Sequence, residues 1–393
     1  MKKLITLLFG LLPVLAGAEQ LPEWQQIEAF RLGQLDPHEC VVPYANGKGA
    51  LADIADQRFF ESPWYMSLNG KWDFKWSQSP GERPTDFYKP DYSTKGWDKI
   101  SVPGNWQTQG YGTKLYVNTT YEFDSDYFHY KKNWPLVPVD SNEVGCYRRE
   151  FTVPADWKDR RTVLCLEGAS SFYYIWVNGQ LLGYNQDSKT AAEWDITDKL
   201  VDGKNTLAIE IYRWSAGSYL ECQDMWRLSG IERDVYLYST PKTYVSDYTV
   251  TSPLDRENYR DGEFGLTVWT EGNLSAGSLS YTLYDADGVK VISGDANIEG
   301  ELKFSEVIKD VKAWSAENPY LYTLEMLLKD KTGKVTETLI LPTNTVFTLL
   351  TKLISSLTAM ATARNHWLIS SNGFRLTWIA LAVCMPRVKT ILP

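Results

Sequence analysis

The side chains in this sequence that are best suited to contact a ligand are aromatic. The 393 residues include 16 tryptophans and 24 tyrosines, and such flat, partly polar rings can lie against the apolar faces of sugars. The same rings can equally fill the core of a β-sandwich. The stretch from Tyr212 to Tyr238 joins an aromatic segment to an alternating, half-buried strand pattern. The sequence therefore predicts either a carbohydrate site or an aromatic core around this stretch.

Side chains for nucleophilic or metal chemistry form no recognisable constellation. The three histidines have neither ligand-like spacing nor a neighbouring candidate nucleophile. The five cysteines lack the spacing of a zinc site or of a disulfide framework, and we expect at most one incidental disulfide. Acidic pairs such as Asp195 and Asp198 are more typical of solvated faces than of a catalytic pocket. These patterns predict no zinc site and no self-contained catalytic centre.

The charge of the chain excludes some classes of partner. The formal net charge is −9 at pH 7. An acidic surface attracts neither a nucleic acid nor an anionic membrane. We therefore expect neither of these as a partner.

The first 18 residues have the pattern of a targeting signal. Lys2 and Lys3 precede an apolar run, and Ala16-Gly17-Ala18 is typical of a cleavage site. An uncleaved membrane anchor is the alternative, but the apolar run is shorter than the ~20 residues that a spanning helix needs. The sequence thus predicts a signal peptide in residues 1–18 and a mature chain that is periplasmic or secreted.

Hydrophobic periodicity indicates an all-β chain. Residues 64–241 contain at least eight short strand patterns and no convincing helix. Trp72, Phe74 and Trp76 alternate on one face, a pattern more typical of packed core than of a binding surface. Asn178-Gly179 is the dipeptide that favours a tight hairpin turn. The rhythm of these elements predicts a jelly-roll β-sandwich.

The segments on either side of this sandwich have different patterns. Residues 19–63 contain several breakers and few periodic runs, which predicts an extended arm laid over a domain. Residues 242–338 contain about seven strand patterns, which predict an immunoglobulin-like sandwich. The chain is thus expected to have two β-domains in succession.

Seven motifs carry a resemblance to a known family. They occur in the order SLNGKWDF, VPGNWQ, LYVNTTY, GCYRREF, FYYIWVNGQLLGYNQDSK, YRWSAGSYLECQDMWRLSGIERDVYL and WSAENPYLYTL, over roughly residues 64–338. Together they resemble glycoside hydrolase family 2, and NQDSK and QDMWRLSG are similar to its β-galactosidases. The resemblance implies a galactose-binding-like jelly roll, an immunoglobulin-like sandwich and retaining hydrolysis of terminal, non-reducing β-D-galactosyl residues. It also implies sodium and magnesium in the full-length enzymes, which are often homo-oligomeric.

The resemblance assigns roles to two residues. Asn118 matches the asparagine that contacts the galactosyl unit in these enzymes. Asp187 matches the aspartate that contacts a galactosyl hydroxyl and helps to hold sodium. The chemistry fits, because an amide both donates and accepts hydrogen bonds and a carboxylate is a hard oxygen ligand. The alternatives are an exposed loop with an Asn-Thr-Thr sequon for Asn118, and a turn residue bonded to its own backbone for Asp187.

The resemblance also implies that catalytic residues are absent. Retaining glycosidases use two carboxylates ~5 to 5.5 Å apart, and in this family both are glutamates in a (β/α)₈ barrel that follows the second sandwich. Such a barrel needs ~250 residues, whereas only about 55 follow Thr338. We therefore expect no catalytic residue in this chain and no hydrolysis by the chain alone.

The tail, residues 339–393, has a different composition. It contains no aspartate or glutamate, and its pattern does not continue that of the family. This predicts a segment foreign to the fold, such as the product of a shifted reading frame. A divergent tail that docks on the sandwich is the alternative, and the apolar run from Leu376 to Met385 is too short to span a bilayer.

Two other interpretations remain open from the sequence. A stand-alone carbohydrate-binding module would hold polysaccharide on an exposed aromatic platform without cleaving it. An unstable gene fragment would expose the strand edges of an incomplete second domain. The first of these depends on exposed aromatic side chains, whereas the β-galactosidase interpretation depends on Asn118 and Asp187.

Overall fold

A computed structural model describes most of the two predicted β-domains. The described residues are 21–39, 41–45, 62–118, 121–124, 133–221, 224–273, 277–345 and 347. The predicted signal peptide, residues 1–18, lies outside them, and so do residue 346 and residues 348–393 of the predicted tail. Within these ranges the helical segments are all short 3₁₀ turns, so the all-β class is confirmed. No helix in the same ranges is long and apolar enough to cross a membrane.

The first domain contains the strands up to residue 240. They are β1 (Arg31–Leu32), β2 (Tyr65–Ser67), β3 (Gly70–Ser77), β4 (Asp98–Val102), β5 (Gly104–Asn105), β6 (Leu115–Val117), β7 (Val144–Thr152), β8 (Arg161–Leu166), β9 (Ala169–Ser170), β10 (Phe172–Val177), β11 (Gln180–Asn185), β12 (Ala192–Asp195), β13 (Lys204–Tyr212), β14 (Met225–Arg227), β15 (Gly230–Ile231) and β16 (Val235–Thr240). The 3₁₀ turns are Glu23–Gln25, Pro80–Glu82, Gln107–Gln109, Glu122–Asp124, Ala155–Trp157, Thr197–Lys199 and Ala216–Tyr219.

Two antiparallel sheets of this domain form the predicted jelly-roll sandwich. The larger has the strand order β1-β11-β10-β13-β7-β3-β4, and the smaller has the order β12-β8-β16-β2. The three strands β5-β15-β9 and the pair β6-β14 form two further small sheets. Alternate residues of the facing strands, including Trp72, Tyr147, Trp194, Ile209 and Leu237, fill one core between the sheets. Burial of these large apolar side chains is the main term that stabilises the sandwich.

Two local predictions for this domain are confirmed. Trp72 and Phe74 have no exposed surface, so the alternating aromatic run is core and not a binding surface. Asn178 and Gly179 join β10 to β11 with φ values of 51° and 78°. Positive φ at both positions is the geometry of a tight hairpin turn.

The second domain is a sandwich of seven strands within the described residues. They are β17 (Tyr244–Thr251), β18 (Gly262–Glu271), β19 (Gly277–Tyr284), β20 (Lys290–Asn297), β21 (Glu301–Ile308), β22 (Tyr322–Asp330) and β23 (Val335–Thr345). The sheet β17-β18-β21 packs on the sheet β20-β19-β22-β23. Residues such as Phe264, Tyr281 and Leu324 fill the core between them. This is the expected immunoglobulin-like arrangement.

The last strand corrects the expected start of the tail. Residue 339 was predicted to begin a segment foreign to the fold, but β23 continues to Thr345 and pairs with β22. Leu339 is 2% exposed, and the fully buried Phe347 contacts Tyr322 edge-to-face. The prediction rested on the loss of acidic residues, whereas the apolar, β-branched segment after Thr338 suits a strand.

The N-terminal arm contacts both domains. In its described part, residues 21–39, 41–45, 62 and 63, Leu35 N–H donates to the carbonyl of Glu193 at 2.9 Å, and Tyr44 N–H donates to that of Thr338 at 2.8 Å. Val41 packs in the core of the second domain, whereas Val42 packs on the first. Adjacent residues of an extended chain point to opposite sides. The described part of the arm therefore contacts the first domain through Leu35 and Val42 and the second through Val41 and Tyr44.

Candidate functional site

A cavity of about 250 Å³ opens at one edge of the first domain. Its walls come from the loop after β11, the segment after β13, strand β14 and the turn at residues 121–123. Asp187, Glu221, Arg213 and Trp214 are among the residues that line it. Both acidic and aromatic side chains therefore face the same space, as binding of a polar ring requires.

Asp187 lies in the loop that follows β11. The Asn185 side-chain amide donates to the Asp187 carbonyl at 2.9 Å, and the Thr190 hydroxyl donates to the same carbonyl at 3.2 Å. These bonds fix the backbone of the loop through its neighbours. Burial raises the pKa of Asp187 to about 6, although a hydrogen bond from Thr190 lowers it. At pH 7 the carboxyl is largely ionised and is a strong hydrogen-bond acceptor within the cavity.

Glu221 is a second carboxyl in this cavity, and the sequence analysis missed it. Its Oε1 accepts the backbone N–H of Ser188 at 2.8 Å. Burial raises the pKa of Glu221 to about 7; the bond from Ser188 lowers it, and the charge of Asp187 raises it further. Glu221 lies within a motif that resembles the family, but no spacing in the sequence links it to Asp187. Only the packing of two distant loops brings the carboxyls together.

A buried ion network forms the base of the cavity. The Arg213 guanidinium donates to Glu143 at 2.6 Å and to Glu122 at 3.0 Å. Trp106 donates to the same Glu143 at 3.1 Å, and Trp214 donates to Glu122. Burial lowers the pKa of Arg213, but the two carboxylates outweigh it and the net direction is upward. The network ties the turn at residues 122–124 to the end of β13.

Asn118 lies beside the cavity and does not line it. It follows β6, whose Val117 pairs with Met225 of β14, and β14 forms part of the cavity wall. The Asn118 side chain is exposed, and residues 119 and 120 lie outside the described part of the chain. The structure thus brings Asn118 and Asp187 to the same edge of the domain, while Asp187 alone of the two faces the cavity. Their roles in binding remain predictions.

Models of two domains of one glycosidase family match most of the chain. The model for "Glycosyl hydrolases family 2, sugar binding domain" matches residues 65–241. The model for "Glycosyl hydrolases family 2" matches residues 243–342. The chain belongs to glycosyl hydrolase family 2. The family predicted from the motifs is therefore confirmed, and the cavity lies in its sugar-binding domain.

Several relatives of this family 2 chain are named β-galactosidase. The protein from Priestia megaterium (strain DSM 319 / IMG 1521) is 40% identical over 336 residues, which cover 82% of this chain and 32% of the relative. The protein from Halalkalibacterium halodurans is 36% identical over 317 residues, which cover 80% of this chain and 30% of the relative. The chain therefore spans about a third of the length of these relatives.

Solved structures of two β-glucuronidases share the fold of this family 2 chain. The Bifidobacterium dentium enzyme gives a TM-score of 0.54 at 20% identity, over 71% of this chain and 47% of that one. Bacteroides uniformis β-glucuronidase 2 gives a TM-score of 0.56 at 21% identity, over 71% of this chain and 32% of that one. At such low identity the similarity concerns the fold alone.

Two exposed aromatic side chains lie on the strand pair β6-β14 of this family 2 domain, and Trp226 of this pair lines the cavity. Tyr116 of β6 and Trp226 of β14 are directly opposite each other and are 52% and 57% exposed. Their ring centroids are 5.9 Å apart, and the ring planes are inclined by 69°. Two rings at this angle do not form the flat platform on which a polysaccharide-binding module stacks successive sugars.

Proposed function

We propose that this chain forms the sugar-binding part of a β-galactosidase. The reaction of the whole enzyme is hydrolysis of terminal, non-reducing β-D-galactosyl residues with retention at the anomeric carbon. The names of the relatives support the substrate class. The observation that carries the proposal is Asp187, which faces a cavity of about 250 Å³ in the domain that matches a sugar-binding model.

In this proposal Asp187 and Asn118 orient the galactosyl unit. The ionised carboxylate of Asp187 accepts a hydrogen bond from a sugar hydroxyl, and such charge-assisted bonds are the stronger kind. Asn118 offers an amide donor and acceptor from the adjoining edge. We propose that the described residues of this chain contribute binding and that the chain does not hydrolyse galactosides by itself. We also propose that the chain is exported to the periplasm or secreted, and that the complete enzyme is homo-oligomeric.

Sodium at Asp187 is the metal interaction that fits this site best. The carboxyls of Asp187 and Glu221, together with the hydroxyls of Ser170, Ser171 and Ser218, present hard oxygen donors to the cavity. In the part of the chain that the structure describes, no group of three acidic, histidine or cysteine residues is arranged to hold a metal. A weakly held monovalent ion suits this donor set better than a tightly bound divalent one. Magnesium is proposed for the complete enzyme, with no residue assigned here.

Binding and turnover with the purified chain test the proposal. Titration calorimetry with galactose and lactose is expected to show binding that falls about tenfold or more in Asp187→Asn, since a charged hydrogen bond is lost. The exposed Asp202→Asn in the same domain is the matched control and is expected to bind as the wild type does. Turnover of a chromogenic galactoside in proportion to protein, abolished in Asp187→Ala, would contradict the proposed lack of catalysis.

A non-catalytic carbohydrate-binding module is the second candidate, favoured by the exposed pair Tyr116 and Trp226. In that case Trp226→Ala would abolish binding to insoluble polysaccharide, whereas Asp187→Asn would have little effect. For soluble galactosides we expect Asp187→Asn to weaken binding more than Trp226→Ala does, because the two rings are not coplanar. A pull-down on polysaccharide beside the calorimetric titration distinguishes the two functions.

A further inference from the structure

The loop that carries Asp187 is held on both sides by one neighbouring segment. Before Asp187, the side-chain carbonyl of Gln186 accepts the N–H of Gly217 at 2.9 Å. After Asp187, the N–H of Ser188 donates to Glu221 Oε1 at 2.8 Å. Both partners belong to residues 215–221, which follow β13. Asp187 therefore lies between two cross-links to the same segment.

The segment that holds the loop is itself fixed. Ser215 and Ser218 bond reciprocally across the first turn of the 3₁₀ segment Ala216–Tyr219. The hydroxyl of Ser171 lies 2.8 Å from that of Ser215 and 3.1 Å from that of Ser218. A fixed turn at this place gives Glu221 a defined position from which to hold the Asp187 loop.

Glu221 also brings a second acidic charge close to Asp187. The cationic groups around it are already engaged: Lys189 contacts Glu232 at 2.6 Å, and Arg213 pairs with Glu122 and Glu143. Arg227 of β14 donates to the backbone carbonyl of Glu221 at 3.4 Å. The Glu221 carboxyl therefore acts on the Asp187 loop through its hydrogen bond with the Ser188 N–H.

We propose that Glu221 is a positioning residue for sugar binding, which holds Asp187 toward the cavity through the Ser188 amide. The inference rests on the proposed function, because it names a second determinant of the same site. Loss of the Glu221 hydrogen bond releases one side of the loop. Loss of only its charge leaves an acceptor for the Ser188 N–H, so the loop keeps its position.

Two substitutions separate these roles. Glu221→Gln keeps an oxygen acceptor for the Ser188 N–H and removes the charge. Glu221→Ala removes both the acceptor and the charge. Glu263→Gln, at an exposed position of the second domain, is the charge-matched control. Each variant is made in the full 393-residue chain, and thermal melting followed by circular dichroism checks that it folds.

The first readout is hydrogen exchange of the Ser188 amide in the ligand-free chain, followed by NMR. We expect slow exchange in the wild type and in Glu221→Gln, because both offer an oxygen that accepts the Ser188 N–H. In Glu221→Ala the exchange is expected to be faster, since the acceptor is lost. The Glu263→Gln chain is expected to exchange as the wild type does.

The second readout is the affinity for galactose at pH 7. We expect it to fall about tenfold in Glu221→Ala and to stay near the wild-type value in Glu221→Gln, which keeps the acceptor. Wild-type exchange of Ser188 in Glu221→Ala would overturn the inference, as would wild-type affinity in that variant or an equal loss of affinity in Glu221→Gln. If the wild type binds no galactoside, the proposed function fails, and the exchange of Ser188 still decides whether Glu221 holds the loop.

Discussion

Two regions of this molecule contain buried acidic side chains whose pKa values shift in opposite directions. Where the arm meets the first domain, Glu193 accepts hydrogen bonds from His38 at 2.9 Å and Tyr238 at 2.7 Å. Burial raises the pKa of Glu193, but His38 outweighs it and the net direction is downward. In the cavity, the pKa values of Asp187 and Glu221 are raised instead.

The difference separates carboxyls that stabilise the fold from those suited to bind a ligand. A buried charge with fixed partners stabilises the ionised form and holds two segments together. A carboxyl in a partly desolvated cavity without a cation to neutralise it retains capacity for an incoming group. Arg213 resembles Glu193 in this respect. Its hydrogen bonds to Glu122 and Glu143 satisfy its charge and give it a structural role.

The largest effect is expected from the buried Arg213. Substitution by methionine leaves Glu122 and Glu143 buried without their cation, and removal of one partner from a buried ion pair costs about 3–5 kcal/mol. The free energy of unfolding measured in urea checks this value. Arg260→Met is the control, because Arg260 pairs with Asp310 on the surface, where such pairs contribute about 0–1 kcal/mol. Equal losses in the two variants would contradict the structural role of the network.

The His38 contact at the arm is expected to have the next largest effect. His38→Ala leaves Glu193 with one partner fewer in a buried position and is expected to cost about 2–3 kcal/mol. His38→Gln, which can still donate one hydrogen bond, is expected to cost less. Hydrogen exchange of the arm amides would rise in the alanine variant. Unchanged exchange would show that the arm is held by its apolar contacts alone.

The junction between the domains is expected to weaken at alkaline pH. Burial lowers the pKa of His38, but Glu193 outweighs it and raises the value to about 9. Glu337 of β23 is buried, Arg160 and Arg161 face it, and burial raises its pKa to about 8. Both folded-state values exceed the unfolded ones. The stability that the two groups contribute is therefore complete below their unfolded pKa values and is lost as the pH rises through about 8 and about 9.

This pH dependence can be assigned to one residue. Glu337→Gln is neutral at every pH, so its free energy of unfolding is expected to exceed that of the wild type by about 2 kcal/mol at pH 9 and by much less at pH 4.5. Urea unfolding at pH 4.5, 7 and 9 measures the difference. If the free energy of unfolding of the glutamine variant declined with pH as steeply as that of the wild type, the effect would belong to His38 or to other groups.

The smallest effect on stability is expected at Asp187. Because its pKa is raised, the ionised carboxylate destabilises the folded chain above pH 6. Asp187→Asn is therefore expected to gain about 1 kcal/mol at pH 8 while it loses galactoside binding. Such an exchange of stability for function is typical of binding sites. A loss of stability together with binding would instead indicate that Asp187 is a structural turn residue.

Periodicity and motifs were sufficient for the architecture and for one cavity residue. The alternation of Trp72 and Phe74 and the Asn178-Gly179 turn are local signals, which depend on neighbours in the sequence. Asp187 was found because its motif resembles the family. Patterns among neighbouring residues predict strands and turns directly, because these elements form between residues that are close in the sequence.

The remaining features depend on contacts between distant segments. Glu221 meets Ser188 across 33 positions, and His38 meets Glu193 across 155. Neither pair has a period or a spacing that indicates its contact. The continuation of β23 was missed for a different reason, because the boundary at residue 338 was based on charge composition and not on strand propensity.

The position of the arm between the domains imposes an order on the synthesis and folding of the chain. Val41 and Tyr44 leave the ribosome before every strand of the two sandwiches except β1, yet they contact the second domain at its core and at Thr338. Domains that emerge first fold first during translation. The first sandwich is therefore made before the second-domain partners of these arm residues exist, and the arm completes its contacts only after β23 has been synthesised.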